Sequence, residues 1–147
     1  MINRRRLLLC RTFVLLLGIR LGLALLAFQK LRQLLARLSY VNRYFQPKIP
    51  HTPEQTNQVV RQVIWSVEKS ARLMPGGAKC LAKALTTQVL MERRGCDCDL
   101  KIGVAKTDKG ELEAHAWIEK DGQVIMGMLP DLERFKSLPP LEKPSTL

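Results

Sequence analysis

A long run without proline opens the chain and shows a helical pattern. Residues 5–38 are rich in Leu, Arg and Ala, three good helix formers, and their apolar positions lie on most sides of a helix. We expect one long helix or two shorter ones here, with Gly18 and Gly22 as candidate positions for a bend. Three prolines exclude regular helix from much of residues 39–53, which we interpret as a linker.

Two further helices are predicted from their start and stop signals. Thr52 is a good N-cap, and Gln55 completes a capping box with it. A proline occupies the first helical position, so we expect a helix over residues 53–73. After a Pro-Gly-Gly break, apolar residues four apart and a terminal glycine predict a second helix over residues 78–94. Cys80 would lie in the first turn of that helix.

The period of the apolar positions changes to two after residue 99, which predicts strands. We expect strands over residues 100–104, 112–120 and 123–128, joined by tight turns. In the second strand, one face would carry Ala114, Ala116 and Ile118, and the other His115, Trp117 and Glu119. Helices followed by at least three antiparallel strands predict an α+β fold.

Positive charge is concentrated in the first third of the chain. The 147 residues suffice for one domain, and their formal net charge is +11. Residues 1–53 hold ten Lys or Arg and no acidic residue, whereas residues 54–147 hold fourteen basic and thirteen acidic residues. Nucleic acid is not an expected partner, because the basic residues are not interleaved with aromatic ones and no binding motif is present.

The basic, Leu-rich N-terminus has three interpretations. It could form a partly buried helix with a solvated face, a docking surface for an acidic partner, or a peripheral contact of residues 1–38 with an anionic membrane. Arg11 and Arg20 interrupt the apolar stretch. An Arg near the bilayer centre costs about 2.5–3.5 kcal/mol, so a membrane-spanning helix is disfavoured.

Four cysteines, at positions 10, 80, 96 and 98, do not form a disulfide framework in a chain of this length. We therefore expect a cytoplasmic location, with peripheral placement at the inner membrane face as an option. Cys96 and Cys98 are two residues apart, but a lone C-x-C pair lacks the second ligand pair of a zinc site. No metal is expected.

Cys80 is a candidate thiol nucleophile, and His115 is a candidate for its base. A thiol attacks as the thiolate, which the positive end of a helix and a neighbouring imidazole both favour. The Gly-Gly pair before the helix leaves its first N–H groups free to bind an oxyanion. The alternative is an inert buried thiol and a histidine that packs beside Trp117, and spacing alone does not decide between the two.

Four ordered sequence blocks carry a family resemblance. They are Met-Pro-Gly-Gly-Ala-Lys-Cys-Leu-Ala-Lys-Ala-Leu at 74–85, Arg-Arg-Gly at 93–95, Leu-Lys-Ile-Gly-Val at 100–104, and Ala-His-Ala-Trp-Ile-Glu-Lys-Asp-Gly at 114–122. Together they resemble the transglutaminase-like leader peptidase of lasso peptide biosynthesis, the lasso B protein family. The resemblance covers roughly residues 60–128, and the basic, Leu-rich N-terminus is also similar to the family's opening segment.

The resemblance implies a papain-like or transglutaminase-like cysteine peptidase that removes the leader from a ribosomally made precursor peptide. Cys80 would be the nucleophile and His115 the base. The expected partners are the precursor leader, a separate leader-recognition protein, as in the split form of the family, and the ATP-dependent lasso cyclase. No cofactor is implied. The expected organisation is a basic helical segment over 1–45, a peptidase core over 46–137 and a Pro-rich tail over 138–147.

One departure from the family pattern lies at Gly127. Family members with a full triad have an Asp twelve residues after the histidine, the position that Gly127 occupies here. We expect residues 120–122 to form a three-residue turn with a glycine bulge, which pairs Glu119 with Gln123. The same register puts His115 opposite Gly127. A carboxylate there would orient the imidazole, and glycine has none.

Other groups are candidates for the missing functions. Glu113, on the same predicted face as His115, and Asp131, in the loop after the third strand, are candidates for the orienting acid. A backbone carbonyl or a water could also hold the imidazole tautomer. Gly77, Lys79 and Trp117 are candidates for the substrate groove or the oxyanion site.

Two other functions stay open from the sequence. The first is a non-catalytic or weakly catalytic module that holds the precursor or the cyclase. In that case, the glycine at position 127 would indicate that catalytic activity has been lost. The second is glutamine amide transfer or deamidation, which proceeds through the same acyl-thioester and differs in the acceptor.

Overall fold

The computed structural model describes residues 3–45 and 51–139. Its helices are α1 (Arg4–Leu25), α2 (Phe28–Phe45), α3 (Pro53–Leu73) and α4 (Cys80–Arg93). Its strands are β1 (Asp99–Lys106), β2 (Leu112–Lys120), β3 (Gln123–Met126) and β4 (Lys136–Ser137), with a 3₁₀ turn at Leu132–Arg134. Helices followed by one antiparallel sheet confirm the predicted α+β class. The predicted linker over 39–53 was partly wrong, because α2 continues to Phe45, and residues 46–50 of it lie outside the described residues, as do 140–147 of the predicted tail.

The start of α3 shows how local signals set a helix boundary. The Thr52 side chain accepts a hydrogen bond from the Gln55 backbone N–H at 3.3 Å, and the Gln55 side chain accepts one from the Thr52 N–H at 3.0 Å. This reciprocal capping box satisfies two N–H groups that the helix itself cannot pair. Both predicted ends of α3 are confirmed.

The α1–α2 pair corrects the expected bend. The chain breaks at residues 26 and 27, whereas Gly18 and Gly22 lie inside α1. Gly22 instead allows close packing, since a Cβ there would lie 2.7 Å from Cδ1 of Leu31 in α2. On its buried side, α1 is tied to α3 by a hydrogen bond of 3.1 Å from the Thr12 hydroxyl to the Ser66 hydroxyl.

Two hydrophobic clusters meet at α4. The helical core joins α1, α2, α3 and α4, and its buried residues are Leu16, Ile19, Leu31, Leu35, Ala71, Met74, Ala82, Leu85 and Val89. The sheet core joins α3 and α4 to the sheet, and its buried residues are Val63, Val67, Ala84, Leu90, Met91, Cys96, Ala116, Ile118 and Met126. Because α4 contributes to both, its position relative to the sheet is fixed from two sides.

The sheet has the order β3-β2-β1-β4. β1 pairs with β2 along its whole length, with Gly103 opposite His115. β4, which pairs with the other edge of β1 at Gly103 and Val104, was not predicted, because two residues are too few to show an alternating pattern.

The β2–β3 hairpin differs from the predicted register. Lys120 pairs with Gln123, so the turn has two residues rather than three. Asp121 and Gly122 both have positive φ, 51° and 78°, as a type I′ turn requires. An irregularity between Ile118 and Glu119 then shifts the register by one residue. The prediction that Glu119 pairs with Gln123 was therefore wrong, and β3 ends at Met126 rather than at residue 128.

Candidate active site

Cys80 is the first residue of α4. Lys79 is the N-cap residue, and its side chain makes no capping hydrogen bond. The first-turn N–H groups of a helix lack partners within the helix, so this end of α4 presents backbone donors beside the thiol. Cys80 is half-buried and packs against the sheet core. The helix begins two residues later than predicted, which places the thiol at its very start.

The loop before Cys80 is held by α1. Gly76 and Gly77 both have positive φ, 77° and 68°, and the Gly77 N–H donates to the Met74 carbonyl at 2.9 Å. The Arg20 guanidinium donates a hydrogen bond of 2.6 Å to the carbonyl of Pro75. The sequence interpretation missed this contact of Arg20 with the loop before Cys80. Its signal was a single Arg in the apolar C-terminal half of α1.

His115 is oriented by a backbone group. Its ring Nε2 lies 2.7 Å from the carbonyl oxygen of Gly127. A carbonyl oxygen can only accept a hydrogen bond, so Nε2 carries the proton and donates it. In the neutral ring, Nδ1 then holds the lone pair and is the atom that can act as a base.

The imidazole packs against two aromatic rings. Its centroid lies 6.1 Å from that of Trp117, nearly parallel at 17°, and 5.6 Å from that of Phe135. Trp117 and Phe135 are buried together with Ala105 in a third cluster. The neighbour of His115, Ala116, belongs to the sheet core. Since successive side chains of a strand point to opposite faces, His115 leaves the face of β2 opposite to α4.

Cys80 and His115 are not hydrogen-bonded to each other within the part of the chain that the structure describes. Cys80 packs with the sheet core, whereas His115 contacts the third cluster. The β3 ladder ends at the pair of Ile118 and Met126. At His115, β2 therefore has β1 on one side and no ladder partner from β3 on the other.

Gly127 has a backbone that disfavours any side chain. Its φ is 87°, and a Cβ at this position would lie 2.8 Å from the Ala116 carbonyl oxygen and 3.0 Å from the Trp117 Cβ. The aspartate expected from the family pattern therefore does not fit this backbone without a shift. The same residue instead orients His115 through its own carbonyl.

A family model described as the transglutaminase-like superfamily matches residues 15–139. The chain belongs to the transglutaminase-like superfamily. The match includes Cys80, His115 and Gly127, as well as Arg20 in α1. The chemistry of this superfamily is of the cysteine peptidase and transglutaminase type. No curated protein and no solved structure gives a significant match.

Glu113 and Asp131 of this transglutaminase-like domain both contact Arg134. The Arg134 Nη2 atom lies 2.9 Å from the Glu113 carboxylate and 3.0 Å from that of Asp131. Arg134 also donates to the Lys106 carbonyl at 3.2 Å. Neither carboxylate is hydrogen-bonded to His115 in the described residues. Their assignment as orienting acids stays a prediction.

The other groove candidates of the transglutaminase-like domain differ in what they can donate. Trp117 is buried, and its indole N–H donates to the Glu119 carboxylate at 2.8 Å. The Gly77 N–H is bonded within its own loop, whereas the Lys79 side chain is exposed. Of the three, Lys79 alone therefore has a side chain open to an incoming peptide.

Burial raises the pKa values of two other thiols, Cys96 and Cys98. Burial, with the nearby carboxylate of Glu92 as a second cause, raises the pKa of Cys98 to about 12. Both stay protonated at neutral pH and are poor nucleophiles. Among residues 3–45 and 51–139, no three His, Cys, Asp or Glu side chains lie close enough together to hold a metal ion.

Proposed function

We propose that the chain is a cysteine peptidase that removes the leader from a ribosomally made lasso peptide precursor, with Cys80 as nucleophile and His115 as base. The observation that carries this proposal is the hydrogen bond from His115 Nε2 to the Gly127 carbonyl. It leaves Nδ1 as the basic atom, and it comes from the position where the family pattern has its orienting aspartate. Superfamily membership and the four sequence blocks also support the proposal.

The chemistry follows from the groups at the start of α4. The Cys80 thiolate attacks the carbonyl carbon of the leader–core amide, and unpaired N–H groups of the first helical turn stabilise the oxyanion. His115, which has taken the thiol proton, gives it to the leaving amine as the C–N bond breaks. A water molecule deprotonated by the imidazole then hydrolyses the thioester, releases the leader and restores the thiol.

Catalysis requires the Cys80 thiol to reach His115 Nδ1. His115 leaves the face of β2 opposite to α4, so the proposal requires the imidazole to turn toward the thiol when substrate binds. The loop that leads into Cys80 contains Gly76 and Gly77 and is tied to α1 by the contact of Arg20 with Pro75.

The partners in this proposal are the precursor leader, a separate leader-recognition protein and the ATP-dependent lasso cyclase. We place the reaction in the cytoplasm, where a ribosomally made precursor is synthesised. The domain organisation proposed with it is a peptidase core over 46–137 preceded by the helical segment 1–45, whose α1 and α2 pack into the helical core.

The test is cleavage of a precursor peptide by the full chain with the leader-recognition protein present, followed by mass spectrometry. Cys80→Ala and His115→Ala should each abolish cleavage. Cys10→Ala is the matched control, since Cys10 is an exposed thiol of α1, and it should cleave like the unmodified chain. Cleavage retained in Cys80→Ala would refute the proposed nucleophile. A glutamine-containing peptide that is deamidated while the leader stays uncut would favour the amidotransfer alternative.

A non-catalytic binding module is the second candidate. It is favoured by the separation of Cys80 and His115 into different clusters and by the glycine at position 127. It predicts precursor binding without turnover, and precursor affinity that is unchanged in Cys80→Ala. Titration calorimetry of the precursor with the unmodified chain and with Cys80→Ala, run beside the cleavage assay, distinguishes the two candidate functions.

A further inference from the structure

A cavity lined by arginines lies between the N-terminus of α1, the middle of α3 and the end of α4. Its volume is about 460 Å³. The charged residues of its lining are Arg4, Arg5, Arg61 and Arg94, and the apolar side chains are Leu8 and Trp65. No acidic residue lines it. Neither Cys80 nor His115 lines it.

None of the four guanidinium groups forms an ion pair with an acidic residue among residues 3–45 and 51–139. The Nη1 atom of Arg94 is buried and has no hydrogen-bond partner, and burial lowers the pKa of Arg94. A buried cationic donor gains from an anionic acceptor, so an anion that entered the cavity would be stabilised at this atom. Guanidinium groups match the paired oxygens of phosphate, which they bind in a bidentate manner.

Beyond the exposed Arg11, the outer face of α1 carries exposed apolar side chains. Val14, Leu21 and Leu25 are 68%, 53% and 81% exposed. Their spacings of seven and four residues put them on one side of the helix. By length and composition α1 could cross a membrane. Its other side, however, carries Leu16 and Ile19 of the helical core. The packed side holds α1 against the domain, so only its outer face is available to a lipid surface.

We propose that the arginine-lined cavity binds the phosphate group of an anionic phospholipid while the outer face of α1 lies in the bilayer surface. The apolar stripe and the basic N-terminus supply the two components of interfacial binding, apolar burial and attraction to anionic headgroups. Trp65, 44% exposed at the cavity, is of the residue type enriched at membrane interfaces. This proposal does not depend on the peptidase assignment.

Point variants test it better than deletion of residues 1–38, which would remove Leu16, Leu31 and other members of the helical core. The assay is co-sedimentation of the full chain with vesicles of phosphatidylglycerol or of phosphatidylcholine at fixed salt. The triple variant Arg4→Gln, Arg5→Gln, Arg61→Gln should weaken binding to phosphatidylglycerol roughly 100-fold. The variant Leu21→Gln, Leu25→Gln should weaken it as well.

Two control variants come from the β1–β2 hairpin, whose residues do not line the cavity. Leu112→Gln removes a side chain that is 76% exposed on β2, and Lys109→Gln removes one exposed charge in the β1–β2 turn. Both should bind like the unmodified chain. Tryptophan fluorescence supplies a second measurement. Trp65 is exposed, whereas the other tryptophan, Trp117, is only 4% exposed and should not respond to vesicles. The fluorescence of Trp65 should shift to the blue with phosphatidylglycerol vesicles, and Trp65→Phe should remove the shift. Thermal unfolding checks that every variant is folded.

The outcomes are distinct. Equal binding to both lipids, or unmodified affinity of the folded arginine variant, would overturn the proposal. A Trp65 shift with inorganic phosphate but not with vesicles would assign the cavity to a free phosphate compound and reject the lipid. A shift with a Glu-rich peptide alone would assign it to an acidic protein segment and reject the lipid as well.

Discussion

His115 donates a hydrogen bond of 2.7 Å from its ring Nε2 to the backbone carbonyl of Gly127. The carbonyl sets the tautomer as a carboxylate would, but it brings no full negative charge to stabilise an imidazolium. In a serine protease, weakening the orienting acid lowers the rate about 10⁴-fold. A thiolate–imidazolium pair depends less on that acid, so we expect turnover below that of a full triad rather than none.

Gly127 should tolerate substitution worse than another glycine of similar φ. Gly127→Ala combines a φ of 87° with a Cβ 2.8 Å from the Ala116 carbonyl, and we expect it to lower the free energy of unfolding by about 3 kcal/mol. Gly110→Ala is the control, since its φ is 81° but no atom lies within 4 Å of its Cβ, and it should cost about 1 kcal/mol.

Urea unfolding of both alanine variants checks this difference, and equal losses would show that the contact at Gly127 is not strained. Gly127→Asp should reduce cleavage rather than complete a triad, because the backbone shift it forces moves the carbonyl that orients His115. A gain in cleavage would show that the backbone adapts.

Cys80 should be the most reactive thiol of the chain. An ordinary thiol is only about 0.3% thiolate at pH 6. A nucleophilic Cys80 should therefore react with iodoacetamide at that pH at least roughly tenfold faster than the exposed Cys10. Cys96 and Cys98, whose pKa values are raised by burial, should stay unlabelled in the folded chain. Peptide mapping gives the four rates, and equal labelling of Cys80 and Cys10 supports the binding module.

Cys98 should make the fold less stable at alkaline pH. Its pKa is about 12 in the folded chain, against about 8.5 in the unfolded one, so between these values the folded state binds more protons. Stability therefore falls as the pH rises above about 8.5, by roughly 2 kcal/mol at pH 10. Cys98→Ala should show a smaller loss between pH 8 and pH 10 in urea titrations. The same slope in both chains would mean that other groups cause the loss.

Arg20 should act on the nucleophile loop from a distance. Arg20→Gln removes a charged donor to the Pro75 carbonyl, a contact of a kind that contributes about 1.5–3 kcal/mol. Amide hydrogen exchange of residues 76–80 should become faster and cleavage slower, while Arg20→Lys should restore part of both. Arg11→Gln, an exposed position of the same helix, is the control. Unchanged exchange in Arg20→Gln would show that the loop does not need this contact.

Substitution of Glu113 and of Asp131 distinguishes two ways of orienting the imidazole of His115, by a backbone carbonyl or by a carboxylate. If the Gly127 carbonyl suffices, Glu113→Gln and Asp131→Asn should each change cleavage less than about tenfold, because both carboxylates are engaged with Arg134. A loss of 100-fold or more in one variant, with its pH profile shifted, would identify that residue as the orienting acid. The measurement is the cleavage rate of each variant and of the unmodified chain between pH 5 and pH 9.

The sequence by itself determined the elements whose signals are local. The bounds of α3 follow from a cap and a proline within four residues, and those of β2 from strict alternation. The placement of Cys80 at a helix start followed from the glycines before it, and that of His115 on a strand from the pattern around it. Each depends on neighbours in sequence, so each could be predicted.

Only the tertiary structure decided how distant parts meet. The Gly127 carbonyl reaches His115 from beyond the end of β3, after a register shift between Ile118 and Glu119 that no local signal in the sequence predicted. The contact of Arg20 with Pro75 joins residues 55 positions apart, and β4 pairs only because β1 offers a free edge. Periodicity records which face of an element is apolar but not which partner covers it, because partner choice depends on contacts between segments far apart in the chain.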